Sequence, residues 1–221
     1  MLGLIGSHRT GKTTLAEAYA KKTGAAVVKM NVGDLQRQFG FDSSNQSYGF
    51  DMRMDIQEKL LASFEEIYST IKDKNAIVDR TPLDLIGYTM LAVKDNLSEA
   101  QSNRLEQYVV DCINLTNKCF TALVLLQPSI PLTTAETSAK SCRALMEKLN
   151  LIYLGATTDE RVIIPHFYIP RAMTSLEHRV QACELAVKKV KARLMQAKKR
   201  SAKNMPATTL FGVDFATATH Q

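Results

Sequence analysis

The segment GSHRTGKT, 6–13, has the spacing of a phosphate-binding loop, GxxxxGK[ST]. Gly6 and Gly11 allow the backbone to curl, so that successive N–H groups face a phosphate at the positive end of the following helix. The Lys12 ammonium is expected to reach the β- and γ-phosphates of a nucleotide, and the Thr13 hydroxyl to ligate Mg²⁺. The predicted nucleotide-binding residues are Gly6, Ser7, His8, Arg9, Thr10, Gly11, Lys12, Thr13 and Thr14.

A carboxylate follows a buried strand further along the chain. Asp79 ends the apolar run AIVD, which places it at the carboxyl edge of a parallel sheet, beside the phosphate-binding loop. There it would hold Mg²⁺ directly or through water, so that Thr13 and Asp79 are the predicted metal ligands. A charged residue that merely closes a strand is the alternative.

Short apolar strands alternate with amphipathic helices along the chain. The predicted strands are 2–5, 25–28, 75–79, 120–126 and 162–164. Helices are predicted after the phosphate-binding loop, over 54–72, and after the N-caps Thr81, Ser98, Thr133 and Thr174. This alternation predicts an α/β fold with three α/β/α layers around a mostly parallel sheet. The phosphate-binding motif between the first strand and the first helix makes the predicted fold one of the P-loop NTPase type.

The run VDRTPLDLIGY, 78–88, resembles the Asp-Arg motif and following helix of thymidylate-kinase-like P-loop kinases, and is similar to the nucleoside and nucleotide kinases around them. The resemblance implies that Arg80 contacts the phosphate or hydroxyl of an acceptor, for which its fork of donors is suited. A surface ion pair is the alternative for Arg80. Asp84, three residues after Thr81, is interpreted as a helix-cap acid. The chain lacks the Glu-Pro-Gly-Gly stretch of true thymidylate kinases, which leaves the acceptor open.

The resemblance also implies a mobile lid whose arginines close over the transferred phosphoryl group. Lys140 and Arg143 stand in the corresponding stretch, with a solvated helix face as the alternative. Arg9, inside the phosphate-binding loop, is a second source of positive charge for the γ-phosphate. Arg171 is a weaker candidate for a place beside the adenine.

The acceptor is expected to bind between residues 31 and 55. This region holds Asp34, Arg37, Asp42, Tyr48, Phe50, Asp51 and Arg53, which can stack on a base and bind phosphate. A hydroxyl acceptor would need a carboxylate to accept its proton, and Asp34 is the first candidate, with Asp51 next. The predicted catalytic residues are therefore Lys12, Asp79, Arg80, Arg143 and Asp34.

The length of 221 residues fits one domain. We predict a kinase domain over 1–200, with acceptor and lid segments at about 31–55 and 130–150, and a C-terminal tail over 201–221.

The formal charge of +6 comes from one segment. Residues 188–203 hold eight of the 28 basic residues and none of the 22 acidic ones, so the rest of the chain carries −2. A basic helix end favours a polyanion such as DNA, whereas cations that oppose the helix dipole and stay solvated are the alternative.

Membrane and secreted classes are not expected. The longest apolar stretch, 119–126, is far shorter than the roughly 20 residues of a membrane span, and the first residues do not resemble a signal peptide. The four cysteines show no CxxC pairing, which fits free thiols in the cytoplasm, or in the host cytoplasm for a viral protein.

Three functions are open at this point. The first is Mg²⁺-dependent transfer of the γ-phosphoryl group of ATP to a nucleotide or nucleoside, with a pyrimidine base expected. The second transfers it to a 5-hydroxymethyl pyrimidine, such as 5-hydroxymethyluracil, in DNA, as the base-modifying kinases of bacteriophages do. The third is a regulatory or motor NTPase without a small-molecule acceptor, against which the Asp-Arg helix counts. The oligomeric state is open as well.

Overall fold

The computed structural model describes residues 1–41, 48–73, 75–93, 96–129 and 143–203, with side chains described as far as residue 197. Five strands and seven helices lie in these ranges: β1 (Leu2–Ile5), α1 (Lys12–Thr23), β2 (Ala26–Lys29), α2 (Val32–Gln38), α3 (Phe50–Thr70), β3 (Ala76–Asp79), α4 (Pro82–Ala92), α5 (Glu99–Cys119), β4 (Ala122–Leu126), α6 (Arg143–Thr158), β5 (His166–Ile169) and α7 (Leu176–Lys203).

The five strands form one sheet in the order β2-β3-β1-β4-β5, and all four pairings are parallel. The central strand β1 pairs Leu4 with Asp79 of β3, so the chain that leaves β1 enters the phosphate-binding loop beside this carboxylate. The carboxyl ends of parallel strands are where ligands bind in such sheets.

Helices cover both faces of the sheet, because the strands β1, β2, β3 and β4 present apolar side chains to each side. On one face α1 and α7 pack over residues such as Leu4 and Val124. On the other face α3, α4, α5 and α6 pack over residues such as Val78 and Leu125. The predicted fold class, three α/β/α layers around a parallel sheet, is confirmed.

Most predicted elements lie within a few residues of their observed positions. Helix α2 was not predicted, because Gly33 lowers its helix propensity and its seven residues are too few for a clear apolar periodicity. Helix α3 begins at Phe50, four residues before the predicted start. The cap at Ser98 is confirmed, since its hydroxyl accepts from the Gln101 N–H at 3.2 Å.

The predicted last strand, 162–164, is wrong: the strand is β5, after Pro165. Val162 and Ile164 are buried whereas Ile163 is 79 % exposed, which gives the alternation of a strand. The register of β4 with β5 begins only at Leu123 and His166, so 162–164 lie before the paired part of the sheet.

The predicted cap Thr174 is also wrong by one residue. The Ser175 hydroxyl accepts from the N–H of His178 at 3.5 Å, and Ser175 therefore precedes the first turn of α7.

Some predictions fall outside the described residues: those on Asp42, Thr133 and Lys140, and the tail beyond Lys203. Helix α7 includes 201–203, which were predicted to belong to the tail. No helix in the described part of the chain is long and apolar enough to cross a membrane.

Candidate active site

The phosphate-binding loop joins β1 to α1 and requires glycine at two positions. A Cβ at Gly6 would lie 2.8 Å from the backbone oxygen of Leu126. Gly11, the N-cap of α1, has a φ of +83°, in the left-handed region that favours glycine. The backbone of the loop thus ends at the N-terminus of α1, where N–H groups and the helix dipole favour the binding of an anion.

Lys12 lies over this loop. Its Nζ donates to the backbone oxygens of Gly6 at 2.7 Å and Ser7 at 2.9 Å. The side chain is buried, and burial lowers the pKa of Lys12 to about 8, although Asp84 and Asp79 partly oppose this shift. A phosphate against the loop would favour the charged ammonium.

Thr13 and Asp79 form the candidate metal site. The Thr13 hydroxyl donates to Oδ2 of Asp79, while Oδ1 of Asp79 is buried and has no hydrogen-bond partner among the described residues. A buried carboxylate oxygen without a donor is costly unless a cation binds it. A hydroxyl and a carboxylate are also ligands that Mg²⁺ accepts, so the donor set fits this ion.

Asp84 has a larger role than the cap that its spacing predicted. Its Oδ2 accepts from the Thr81 N–H at 2.7 Å, which confirms the cap, and its Oδ1 accepts from the Gly6 N–H at 3.4 Å. Burial raises the pKa of Asp84, opposed by Lys12 and by these two N–H groups. The carboxylate therefore joins the start of α4 to the phosphate-binding loop, a contact that a cap motif alone does not predict.

Arg80 and His8 meet on Tyr88 of α4. The guanidinium of Arg80 lies 5.9 Å from the centre of the Tyr88 ring, and the Tyr88 hydroxyl is 2.6 Å from Nδ1 of His8. Tyr88 was not predicted as a site residue, because a tyrosine on an apolar helix face is usually a packing residue.

A cavity of about 850 Å³ opens beside the loop, between α2, α3 and α4. Three arginines line it, Arg37, Arg53 and Arg80, and its described lining contains no aspartate or glutamate. Its remaining described lining consists of His8, Val32, Gly33, Gln36, Gly40, Phe41, Phe50, Met54, Gln57, Tyr88, Thr89, Ala92, Val93 and Leu145. Arginine and apolar side chains together suit an anionic ligand with an apolar ring.

The two candidate bases do not line this cavity. Asp34 lies in the first turn of α2, where it accepts from the side chains of Asn31 and Arg37. Asp51 faces α5, where its Oδ1 is 3.7 Å from Arg104 and its Oδ2 accepts from Gln101. The structure therefore brings Arg80 to the cavity, but neither of these carboxylates.

The candidate lid residue Arg143 lies on α6, and the candidate adenine residue Arg171 lies between β5 and α7. Arg143 is exposed at the first residue of α6, two positions before the cavity residue Leu145. Arg171 donates to both carboxylate oxygens of Glu147, at 2.6 and 2.7 Å, and so connects the segment before α7 to α6. Arg9 lies in the loop with a φ of +57°.

Arg179 of α7 contacts the phosphate-binding loop and was not predicted as a site residue. Its guanidinium is buried and donates to the backbone oxygens of Thr10 at 3.0 Å and Met173 at 2.7 Å, and to the Ser129 hydroxyl. No sequence signal could have found this contact, because an arginine in an amphipathic helix is ordinarily placed on the exposed face.

Known proteins share the fold that carries this site. A family model described as the ATPase family associated with various cellular activities (AAA) matches residues 2–107. A structure of deoxyadenosine kinase from M. mycoides with dCMP and dCDP bound is 16 % identical over 86 % of this chain and 98 % of that one, with a TM-score of 0.53. The chain has the P-loop NTPase fold. The resemblance to P-loop nucleoside and nucleotide kinases is thus confirmed at the level of the fold.

Two further matches share the P-loop NTPase fold. The same deoxyadenosine kinase with dCTP bound gives 17 % identity over 86 % of this chain and 98 % of that one, with a TM-score of 0.54. The NadR protein in complex with NR gives 14 % identity and a TM-score of 0.60, over 84 % of this chain and 48 % of that one. A search of curated proteins gave no match.

Proposed function

We propose that this chain is an ATP- and Mg²⁺-dependent phosphotransferase whose acceptor is a nucleotide or nucleoside, with a pyrimidine base expected. The carrying observation is that the phosphate-binding loop and the cavity of about 850 Å³ share His8. A purely hydrolytic NTPase needs room only for water, whereas this volume is in the range of small-molecule sites. Donor and acceptor can therefore meet at the loop.

The loop and its neighbours supply the donor half of the proposed reaction. Backbone N–H groups and the Lys12 ammonium would hold the β- and γ-phosphates of ATP. Thr13 and Asp79 would hold Mg²⁺, which neutralises charge on the transferred phosphoryl group when it is bound. Arg9 or Arg143 would offset the remaining charge if either moves over the nucleotide.

The cavity lining supports an acceptor that carries negative charge. Arg80 follows the metal ligand Asp79 in the sequence and lines the cavity. It is proposed to bind the acceptor. Arg53 adds donors, as does Arg37 through the N–H groups that Asp34 does not take, and the described lining holds no carboxylate that would repel a phosphate. Asp34 keeps its proposed role as a base only for a hydroxyl acceptor.

The similar structures support this class of acceptor. The deoxyadenosine kinase structures hold dCMP with dCDP, or dCTP, and the NadR structure holds NR. For the second candidate, a kinase that phosphorylates a 5-hydroxymethyl pyrimidine in DNA, the supporting observation is the basic segment 188–203. Residence in the cytoplasm stays a prediction.

The test incubates the protein with γ-labelled ATP and Mg²⁺, with nucleosides, with nucleoside monophosphates, and with DNA containing normal or hydroxymethylated pyrimidines. Label is expected in one of these acceptors. Lys12→Ala should abolish transfer, because it removes the ammonium over the loop. Lys22→Ala is the matched control: Lys22 lies at the other end of α1, paired with Glu184 at 2.7 Å, and should keep full activity. Label recovered only as inorganic phosphate in every mixture would exclude both kinase functions.

A further inference from the structure

The last 16 residues of α7, 188–203, form a helical segment that we call the basic arm. The packed part of α7 ends at Val190, the last residue of the helix that is buried among those with described side chains. Residues 191–197 are all exposed, and Leu194 and Met195 are 52 % and 64 % exposed. The arm therefore begins in the packed part of α7 and extends beyond the body of the protein from residue 191 onward.

The described cations of the basic arm have no partners. Neither an ion pair nor a hydrogen bond is formed by the side chains of Lys188, Lys189, Lys191 and Arg193 with any part of the chain that the structure describes. Surface cations of the body commonly have a carboxylate within 3 Å: Lys22, Lys29, Arg104, Lys118, Arg161 and Arg171. The sequence adds Lys198, Lys199, Arg200 and Lys203 to the arm without an acidic residue. Within the described part of the chain, the positive charges of Lys188, Lys189, Lys191 and Arg193 are thus not neutralised by an acidic side chain.

The basic arm points away from the active site. Helix α7 begins beside the phosphate-binding loop, where Arg179 contacts Thr10 at 3.0 Å, and runs along α1, so that Glu184 pairs with Lys22. At 1.5 Å per residue, Lys188 lies about 14 Å along the helix from Arg179 and Lys203 about 36 Å. A ligand on the arm therefore does not occupy the cavity beside the loop.

The described cations of the arm cover more than half of the circumference of the helix. At about 100° per residue, Lys189 and Arg193 lie about 40° apart, whereas Lys191 lies about 160° from Arg193. A helix that lies in a membrane surface needs a broad apolar face. The large apolar residues that the described part of the arm exposes, Leu194 and Met195, lie about 100° apart, and Met195 lies among the cations. The phosphates of a DNA backbone, by contrast, are matched by cations on any side of a helix. We propose that the basic arm binds the phosphate backbone of DNA, at a surface separate from the active site.

The experiment measures binding of the full chain to a fluorescently labelled 20-base-pair DNA duplex by anisotropy between 50 and 300 mM salt. The arm variant replaces four exposed cations by glutamine: Lys188, Lys189, Lys191 and Arg193. Because cations on opposite sides of the helix cannot all face one duplex, about two phosphate contacts are lost. The affinity is expected to fall about tenfold or more at 100 mM salt, and the slope of log Kd against log salt to decrease by about two.

The matched control replaces four exposed cations of the body by glutamine, with the same change in net charge: Lys72, Lys118, Lys148 and Arg161. Its affinity for DNA is expected to stay within about threefold of the unmodified protein, because the separation of the arm from the body makes binding local. Equal losses in the two variants, or no DNA binding by the unmodified protein, would overturn the proposal.

Two further measurements test which ligand the basic arm binds and where on the protein DNA binds. Vesicles with anionic lipids should bind more weakly than DNA at the same salt, and tighter binding to vesicles would contradict a DNA surface. At a constant concentration of Mg²⁺, saturating AMP-PNP with a mixture of nucleoside monophosphates should leave DNA binding unchanged, as should Lys12→Ala. Displacement of DNA by these ligands would place it in the cavity instead. DNA binding does not require phosphotransfer, so the proposed function can fail while this inference holds.

Discussion

Lys12 is a buried amine whose charge the protein stabilises only in part. Two backbone oxygens accept from its Nζ within 3 Å, but burial still lowers its pKa from 10.5 to about 8. A lysine with this pKa is partly neutral just above physiological pH. Its protonation is therefore coupled both to folding and to the binding of phosphate.

The coupling to folding predicts a pH dependence of stability. Between pH 8 and 10.5 Lys12 is largely neutral in the folded chain but protonated in the unfolded chain, so the unfolded state binds more protons and the free energy of unfolding rises with pH. The rise is up to about 3 kcal/mol, and below pH 8 it is absent. Urea unfolding from pH 7 to 10 should show this term in the unmodified protein but not in Lys12→Met. The difference between the two proteins removes the contribution of other lysines and of tyrosines. Parallel curves would mean that Lys12 has an ordinary pKa.

Residues of the site could be predicted from the sequence where their positions follow from local spacing. Lys12 and Thr13 belong to one motif, and Asp79 ends a strand that is adjacent to it in a parallel sheet. Asp84 and Arg179 reach the loop from 78 and 169 residues away, through the packing of α4 and α7. Local sequence patterns do not relate residues that are so far apart in the sequence, so these two contacts could be found only in the structure.

Helix α4 lies between the active site and α6. Gly87 allows α4 to pack closely against α6, because it has no side chain. A Cβ at Gly87 would lie 2.2 Å from Cε1 of Tyr153, a fully buried residue of α6. The Tyr153 hydroxyl donates to the backbone oxygen of Asp84 at 3.3 Å. The close approach of α4 and α6 therefore supports the turn that carries the contact between Asp84 and the loop.

Gly87→Ala is expected to destabilise the protein by about 1–3 kcal/mol, because Tyr153 must move out of a packed core. The matched control is Gly155→Ala in α6, where a Cβ would contact nothing within 4 Å. The control should be neutral or more stable by up to about 1 kcal/mol, since alanine favours a helix. Thermal and urea unfolding measure both. The penalty of Gly87→Ala should shrink in a Tyr153→Leu background, and equal stabilities of the two alanine variants would refute the close contact.

The elements that could be predicted are those whose apolar pattern is complete within the element. The periodicity of α3 and the buried runs of β1, β3 and β4 are of this kind. β5 is different, because its side chains are mostly only half-buried and its position depends on where β4 offers a partner. A sheet register is a property of two strands, and the apolar run at 162–164 could not supply it.

Helix α7 has a packed part and an extended part, which contribute differently to the free energy of unfolding. The packed part, through Val190, covers β4 and β5 and holds Arg179 against the loop. Residues 191–197 are all exposed and contribute no buried side chain to the core. A helix that packs against nothing opens locally without unfolding the domain.

Proline placed in each part should separate the two. Ala182→Pro interrupts α7 where it is partly buried against α1, and a loss of about 3 kcal/mol should lower the Tm by roughly 6–12 °C. Ala192→Pro breaks the same kind of hydrogen bond in the basic arm, where no packing is lost, and the Tm should stay within about 2 °C while the helical circular dichroism decreases. Phosphotransfer to a free acceptor should survive only the second change. A large loss of Tm in Ala192→Pro would mean that the arm packs against the body, and its cations would then not be available to DNA.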